Sequence, residues 1–290
     1  MTMMKIHYQA LSEIEKFKLT LCWLFLQGGN SMYKFGFVGM GNMASAIAQG
    51  FVESGFIPGE QVCTFDLKQA QLDKMSTFGI VGLKDAHEVV ANSEFVFLCV
   101  KPQVIESVVA EIKEDLKNKT VVSIVLGYDF DKYNTLLDAS TRHLTVMPNT
   151  PMAVREGMCL LEQTHSLTEE EFNYIKDAFL SVGEIEVVPN HLMGVGGALS
   201  GCAPAYIYMV IEALADGAVM QGMPRKMAYK LASQTVLGSG KMQLKTDLHP
   251  GILKDNVTSP GGSTIRGVKA LEDAGMRSAF INAIEKSMKR

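Results

Sequence analysis

The feature that most constrains this chain is a glycine-rich turn between a strand pattern and a helix pattern. Residues 33–38 read Tyr-Lys-Phe-Gly-Phe-Val and predict a buried strand, and residues 45–54 predict a helix that ends near Gly55. In such a unit the first glycine permits a tight turn, the second lets a phosphate approach the backbone, and a small third residue keeps helix and strand close. The segment therefore predicts a pyrophosphate-binding turn made by Gly39, Met40, Gly41, Asn42 and Met43, with Ala44 as the small third residue.

Strand and helix patterns alternate along the chain as far as Pro189. Further strands are predicted at residues 62–65, 95–100, 120–125, 144–147 and 185–188. Helices are predicted at residues 68–75, 104–116 and 167–182, the last with Thr168 as its N-cap. This alternation predicts a mostly parallel sheet that is covered by helices on both faces.

The pattern changes after Pro189, where only helices are predicted. They cover residues 204–220, a helix opened by Pro224, and residues 263–273 and 276–289. We therefore expect an α/β Rossmann domain over residues 32–189, followed by an all-helical domain over residues 190–290.

Residues 1–31 precede this organisation and have two interpretations. The apolar run at 19–26 is far shorter than the about 20 residues of a membrane span. Glu13 and Glu15 interrupt the basic region that an export signal needs. The segment is either an upstream start that precedes the true initiator Met32, which we favour, or an ordered extension.

Composition excludes several classes of function. The formal net charge of −4 means that Lys and Arg are not in excess over Asp and Glu, so nucleic acid is not an expected partner. The five cysteines form no CxxC pair, which argues against a disulfide framework and against a structural zinc site. We expect a reduced cytoplasmic protein that binds no metal and no membrane.

Asp66 ends the second predicted strand and bears on the choice of cofactor. An acid at this position accepts hydrogen bonds from the adenosine ribose and repels a 2′-phosphate. Residues 62–72 contain no arginine, although Lys68 supplies positive charge nearby. Of NADH and NADPH, the pattern therefore favours NADH. The alternative is that Asp66 caps the following helix, which leaves the choice of cofactor open.

Two further turns follow strands at the edge where ligands bind in an open parallel sheet. One is Val100-Lys101-Pro102, and the other, at residues 147–151, contains Pro148 and Asn149. We expect both turns to contact the cofactor, with Asn149 bonding its nicotinamide half. The alternative is a pair of proline turns with no ligand.

A second candidate site lies in the helical region. A Pro-Gly-Gly loop at 260–262 precedes the helix predicted at 263–273, which we expect to turn Ile265, Val268 and Leu271 inward. The N–H groups of Gly262, Ser263 and Thr264 would then suit a carboxylate at the helix N-terminus. A plain capping loop is the alternative.

Residues 250–272 resemble the signature of the pyrroline-5-carboxylate reductase family, and they include Asp-Asn-Val-Thr-Ser-Pro-Gly-Gly-Ser-Thr at 255–264. The resemblance extends over residues 36–43, 100–102, 147–151, 199–206 and 222–225, in the same order. It implies a helical dimerisation domain that interlocks with a second subunit, as a homodimer or a ring of dimers.

The resemblance also implies residue roles. Ser259 and the Gly262, Ser263 and Thr264 amides hold the substrate carboxylate, and Thr264 is the catalytic candidate because it bonds the ring nitrogen. Asp247 lies where some members carry a glutamate near the substrate, and its shorter side chain leaves its role open. Asp66 replaces the small polar residues that suit a 2′-phosphate, which again favours NADH.

The implied reaction is NAD(P)H-dependent reduction of a cyclic imine acid to L-proline, the last step of proline biosynthesis. A 3-hydroxyacid dehydrogenase is the enzymatic alternative, but it needs a lysine or histidine to move the alcohol proton. His249 is interpreted as structural, and Lys101 as a cofactor contact. A non-catalytic NAD-binding sensor is the alternative from another class, and it would bind cofactor without turnover.

Overall fold

A computed structural model describes residues 33–288 of the chain. The predictions made for residues 1–31 lie outside the described residues. The chain divides into two compact units, and the boundary falls between Asn190 and His191.

The first unit is a sheet with connecting helices. Its strands are β1 (Tyr33–Val38), β2 (Val62–Phe65), β3 (Val81–Gly82), β4 (Ser93–Leu98), β5 (Thr120–Ser123), β6 (Arg142–Met147), β7 (Gly157–Glu162) and β8 (Gly183–Val188). Its α-helices are α1 (Asn42–Glu53), α2 (Gln69–Ser76), α3 (Ala86–Ala91), α4 (Ile105–Ile112), α5 (Phe130–Leu136) and α6 (Glu169–Leu180). Short 3₁₀ helices occur at Gly59–Gln61 and Thr150–Val154.

The eight strands form one sheet in the order β3-β2-β1-β4-β5-β6-β7-β8. All neighbouring pairs are parallel except β6 and β7, which are antiparallel. The chain runs outward from β1 to β3 and then returns to the other side of β1 at β4. The strand order therefore reverses between β1 and β4, and ligands bind at the carboxyl ends of strands at such a point. The predicted mostly parallel Rossmann sheet is confirmed.

Alternating side chains of the central strands build a core on each face. Phe35 and Phe37 of β1 lie in the same buried cluster as Phe51 of α1 and Phe179 of α6. The neighbouring residue Val38 instead joins a second cluster with residues of α3, α4 and α5. This period of two explains why near-continuous apolar strands are buried on both sides.

Several elements differ from the sequence predictions. Strand β4 and helix α4 begin and end at other residues than predicted, at Ser93–Leu98 and Ile105–Ile112. Elements β3, α3, α5 and β7 carry no strong periodic signal and were not predicted. Strand β7 is the most consequential, because its pairing with β6 interrupts the parallel order. The predicted N-cap Thr168 is confirmed, and with Glu171 it forms a complete capping box.

The described residues of the second unit, 191–288, form helices joined by short loops and contain no strand. Its helices are α7 (Asn190–Gly197), a π-helical turn (Ala198–Cys202), α8 (Ala203–Met220), α9 (Arg225–Thr246), α10 (Pro250–Asn256), α11 (Ser263–Asp273) and α12 (Met276–Met288). Pro224 precedes α9 as its N-cap residue. The stretch Asn190–Met220 is long and apolar enough to cross a membrane, judged by length and composition alone.

The apolar residues of α11 are less buried than the sequence pattern predicts. Ile265 is 38% exposed and Leu271 is 51% exposed, so the expectation that both turn inward is wrong for a single chain. Met209 and Met220 of α8 are also exposed. Amphipathic periodicity shows which side chains share a face, but it cannot show whether the same chain covers that face.

Candidate functional site

The turn between β1 and α1 has the backbone geometry that its two glycines predict. Gly39 has φ of +92°, and a Cβ added there would lie 3.0 Å from the carbonyl oxygen of Cys99. The turn after β1 therefore packs directly on the turn after β4, and only glycine fits. Gly41 has φ of −69° as the N-cap of α1, and no atom lies within 4 Å of a Cβ added there. The space beside Gly41 is thus open to a ligand.

Helix α1 presents its N-terminus to this open space. The structure gives no acceptor within residues 33–288 for the backbone N–H groups of Asn42 and Met43. Ala44 is 1% exposed and lets the helix pack closely. Unpaired N–H groups and the positive end of a 12-residue helix dipole favour a bound phosphate. The arrangement fits the pyrophosphate of a dinucleotide.

Asp66 joins the end of β2 to the glycine turn. Its Oδ2 accepts a hydrogen bond from the Met40 N–H at 2.7 Å, and its Oδ1 accepts one from the Lys68 N–H at 2.9 Å. Helix α2 begins at Gln69 with Lys68 as its N-cap, so Asp66 does not cap that helix. Each carboxylate oxygen can accept a second hydrogen bond, so a ribose hydroxyl can still bind.

The other two predicted turns lie at the same edge of the sheet. Val100, Lys101 and Pro102 follow β4, where the Cys99 N–H donates to the Val38 carbonyl at 2.9 Å. Lys101 is exposed. Pro148 and Asn149 follow β6 and are both buried.

Asn149 is fixed by an element that the sequence analysis missed. Its Oδ1 accepts a hydrogen bond from the Met158 N–H of β7 at 2.8 Å. Gly50 of α1 was also missed, although a glycine inside a helix pattern signals a close approach. A Cβ at Gly50 would lie 2.9 Å from the carbonyl oxygen of Met152, so this glycine lets α1 pack on the turn that carries Asn149.

The cysteines of this unit are not activated as nucleophiles. Burial raises the pKa of Cys63 to about 11 and also raises the pKa values of Cys99 and Cys159. All three therefore stay neutral thiols at physiological pH. Within the described part of the chain, no three His, Cys, Asp or Glu residues are grouped so that they could hold a metal ion.

In the helical unit, the loop before α11 is a tight turn that Pro260 and Gly261 make possible. The Gly262 N–H donates to the Ser259 carbonyl at 3.0 Å, and Gly261 has φ of +68°. Proline followed by a residue with positive φ is typical of a type II turn. The Arg266 guanidinium donates to the Gly261 carbonyl at 3.0 Å, which adds a second restraint.

This turn changes which N–H groups a carboxylate can use. The Gly262 N–H, expected to be free, is engaged within the turn. The N–H groups of Ser263 and Thr264, at the first turn of α11, have no acceptor among the described residues. Ser259, Ser263 and Thr264 are exposed in the single chain. The two free N–H groups and the Thr264 hydroxyl form a small polar site.

Two residues near this loop have distinct structural positions. His249 accepts a hydrogen bond at Nδ1 from the Gly251 N–H at 3.0 Å and caps α10, in agreement with its structural interpretation. Asp247 ends α9 with φ of +52°, and its side chain is exposed. Asp247 is therefore accessible, and within the part of the chain that the structure describes its carboxylate has no partner that defines a role.

Comparison with known protein families matches both units of the chain. Residues 190–290 match the family described as pyrroline-5-carboxylate reductase dimerisation. Residues 34–127 match the family described as NADP oxidoreductase coenzyme F420-dependent.

Individual relatives are similar over nearly the whole chain. A pyrroline-5-carboxylate reductase of Arabidopsis thaliana is 43% identical and covers 89% of this chain and 94% of its own length. One of Methanosarcina acetivorans is 41% identical, with 89% and 96% covered. The crystal structure of Plasmodium falciparum pyrroline carboxylate reductase with NADP bound is 31% identical, covers 90% of this chain and 97% of its own, and has a TM-score of 0.81.

Proposed function

This chain belongs to the pyrroline-5-carboxylate reductase family, and we infer that it reduces the C=N bond of 1-pyrroline-5-carboxylate to give L-proline. It is an NAD(P)H-dependent oxidoreductase, and its reaction is the last step of proline biosynthesis. The observation that carries the assignment is that one chain contains both an open glycine turn at the sheet's switch point and a loop at residues 259–264 that offers free N–H groups.

The proposed cofactor site uses the three turns at the carboxyl edge of the sheet. The Asn42 and Met43 N–H groups bind the pyrophosphate, and Gly41 leaves the room that it needs. Val100, Lys101 and Pro102 line the cofactor, and Pro148 and Asn149 face its nicotinamide half. When bound, the reduced nicotinamide supplies the hydride. The protein's part is to align the donor and acceptor and to exclude water.

Asp66 supports a preference for NADH over NADPH in this proposal. Its carboxylate ends β2, where the adenosine ribose lies in dinucleotide-binding folds, and a negative charge there repels a 2′-phosphate. No arginine within residues 62–72 offsets that charge. The Plasmodium falciparum relative is described with NADP bound, so the preference rests on Asp66 itself.

The proposed substrate site is the turn and first residues of α11. The free N–H groups of Ser263 and Thr264 bind the substrate carboxylate, and Ser259 assists. Gly262 contributes by closing the turn. The Thr264 hydroxyl orients the ring nitrogen, and the exposed Asp247 is a candidate for a further polar contact with the substrate. A protonated imine accepts a hydride readily, so a strong acid is not required.

Oligomerisation follows from the dimerisation family and from the exposed apolar side chains of α8 and α11. Large exposed apolar patches mark interfaces in soluble proteins. We propose that the apolar stretch at 190–220 is buried against a second copy of the chain and not in a membrane. The assembly is a homodimer, alone or in a ring of dimers. We also propose a cytoplasmic location, because the four cysteines in the described residues are free thiols.

The test is NADH and NADPH oxidation with pyrroline-5-carboxylate by the wild type, Thr264→Ala and Thr264→Ser. Loss of a neutral hydrogen bond of about 1–1.5 kcal/mol predicts a loss of about 5- to 15-fold in kcat/KM for Thr264→Ala. Thr264→Ser keeps the hydroxyl and serves as the control. A wild type that binds cofactor but reduces no imine would overturn the assignment. Oxidation of 3-hydroxyacids would then favour the dehydrogenase alternative.

A further inference from the structure

Two hydrogen bonds connect the glycine turn with the end of β2, and they differ in what they require of the sequence. The Gly39 N–H donates to the Phe65 carbonyl at 2.9 Å, a backbone bond that any residue at position 65 can make. The Met40 N–H donates to Oδ2 of Asp66 at 2.7 Å, across 26 positions of sequence. This second bond exists only if residue 66 carries a short side chain with an acceptor.

Among residues 33–288, the Met40 N–H has no acceptor other than Asp66. Met40 is 0% exposed, so its backbone is shielded from water by its own surroundings. A buried N–H group without a partner costs about 1–3 kcal/mol, which is enough to favour a rearranged turn. Asn42 and Met43 lie two and three residues after Met40, so any rearrangement of the Met40 peptide moves the N–H groups that face the phosphates.

We propose that Asp66 is a positioning residue for the phosphate-binding turn as well as the acid that faces the ribose. The inference rests on the proposed cofactor site. One carboxylate then serves two purposes: Oδ2 holds the turn in the conformation that binds pyrophosphate, and the negative charge discriminates against a 2′-phosphate. Removing the side chain therefore weakens the binding of both cofactors, whereas removing only the charge weakens discrimination alone.

Two substitutions of Asp66 distinguish its role in positioning the turn from the effect of its charge. Asp66→Asn removes the charge but keeps an amide oxygen that can accept the Met40 N–H. The amide NH₂ then faces the Lys68 N–H, and since Lys68 is exposed, that N–H can turn to water. Asp66→Ala removes the charge and the acceptor together. Asp73→Asn is the matched control, because Asp73 is an exposed carboxylate on the neighbouring helix α2.

The experiment measures dissociation constants of NADH and NADPH from the nicotinamide fluorescence of each variant, without substrate. For Asp66→Asn we expect NADPH to bind as tightly as to the wild type or more tightly. For Asp66→Ala we expect NADPH to bind about 5- to 150-fold more weakly than to Asp66→Asn, because a smaller fraction of the molecules holds the turn in the conformation that binds pyrophosphate. Asp73→Asn should bind both cofactors like the wild type.

Equal NADPH affinity of the Asn and Ala variants would overturn the positioning role and leave Asp66 as a selectivity residue alone. A wild type that binds neither cofactor would overturn both this inference and the proposed function. A wild type that binds cofactor but does not reduce the imine would overturn only the function, since the comparison of Asn with Ala uses binding alone. Thermal unfolding of each variant checks that the measured protein is folded.

Discussion

We expect alanine at the two glycines of the turn after β1 to have different effects. Gly39→Ala should lower stability, whereas Gly41→Ala should weaken cofactor binding. At Gly39 the backbone has φ of +92°, and a Cβ would lie 3.0 Å from the Cys99 carbonyl oxygen and 3.2 Å from Cγ1 of Val100. A side chain at positive φ costs about 1–2 kcal/mol, and displacing the backbone of the neighbouring turn adds to it. We expect Gly39→Ala to lower the free energy of unfolding by about 2–4 kcal/mol.

At Gly41 the same methyl group meets no protein atom. The φ of −69° is ordinary for alanine, and no atom lies within 4 Å of the added Cβ. The smaller entropy of the unfolded chain stabilises by about 0.4–1 kcal/mol, and the weaker N-cap preference of alanine offsets part of this. The stability of Gly41→Ala should therefore stay within about 1 kcal/mol of wild type. Its cofactor binding should weaken by about tenfold or more, because the methyl fills the space that the pyrophosphate needs.

The assay has two readouts on the same three proteins. Urea unfolding followed by circular dichroism measures stability without cofactor, and NADH fluorescence measures binding. Unchanged NADH affinity in Gly41→Ala would refute the placement of the pyrophosphate beside this glycine. Unchanged stability in Gly39→Ala would refute the contact between the turns after β1 and β4.

Two further predictions concern stability in acid. Burial lowers the pKa of His143 from 6.5 to about 4, so between these values the unfolded chain binds this proton and the folded chain does not. The free energy of unfolding therefore falls as the pH falls from 6.5 to 4, by about 3 kcal/mol in all. His143→Gln should flatten this dependence in urea unfolding at pH 5 and 7, and an unaltered slope would contradict it. Burial opposes ionisation of Glu171, but hydrogen bonds from Arg142 and Thr120 outweigh it and lower its pKa from 4.5 to about 2. The stabilisation of the folded state by ionised Glu171 is complete above pH 4.5 and is lost as the pH falls towards 2. Arg142→Met should therefore lower the free energy of unfolding by about 1–3 kcal/mol at pH 7. An unchanged Tm would argue against the ion pair.

The sequence by itself determined the parts of the protein that depend on local backbone requirements. The glycine turn, the strand before it and the capping box at Thr168 each follow from residues within a few positions of one another. The loop at residues 259–262 is of the same kind, because proline and glycine at adjacent positions predict the turn that forms. Such features need no knowledge of what the rest of the chain does.

Other features were decided by contacts between residues far apart in the chain. Strand β7 gains its place by pairing with β6 and β8, and it then holds Asn149 through the Met158 N–H. Asp66 was predicted at a strand end, but its bond to the Met40 N–H emerged only when β2 lay beside β1. The exposed fraction of Ile265 likewise depends on whether distant segments of the chain pack against its face of α11. A sequence pattern records local preference, whereas partners and burial are fixed only when distant segments pack together.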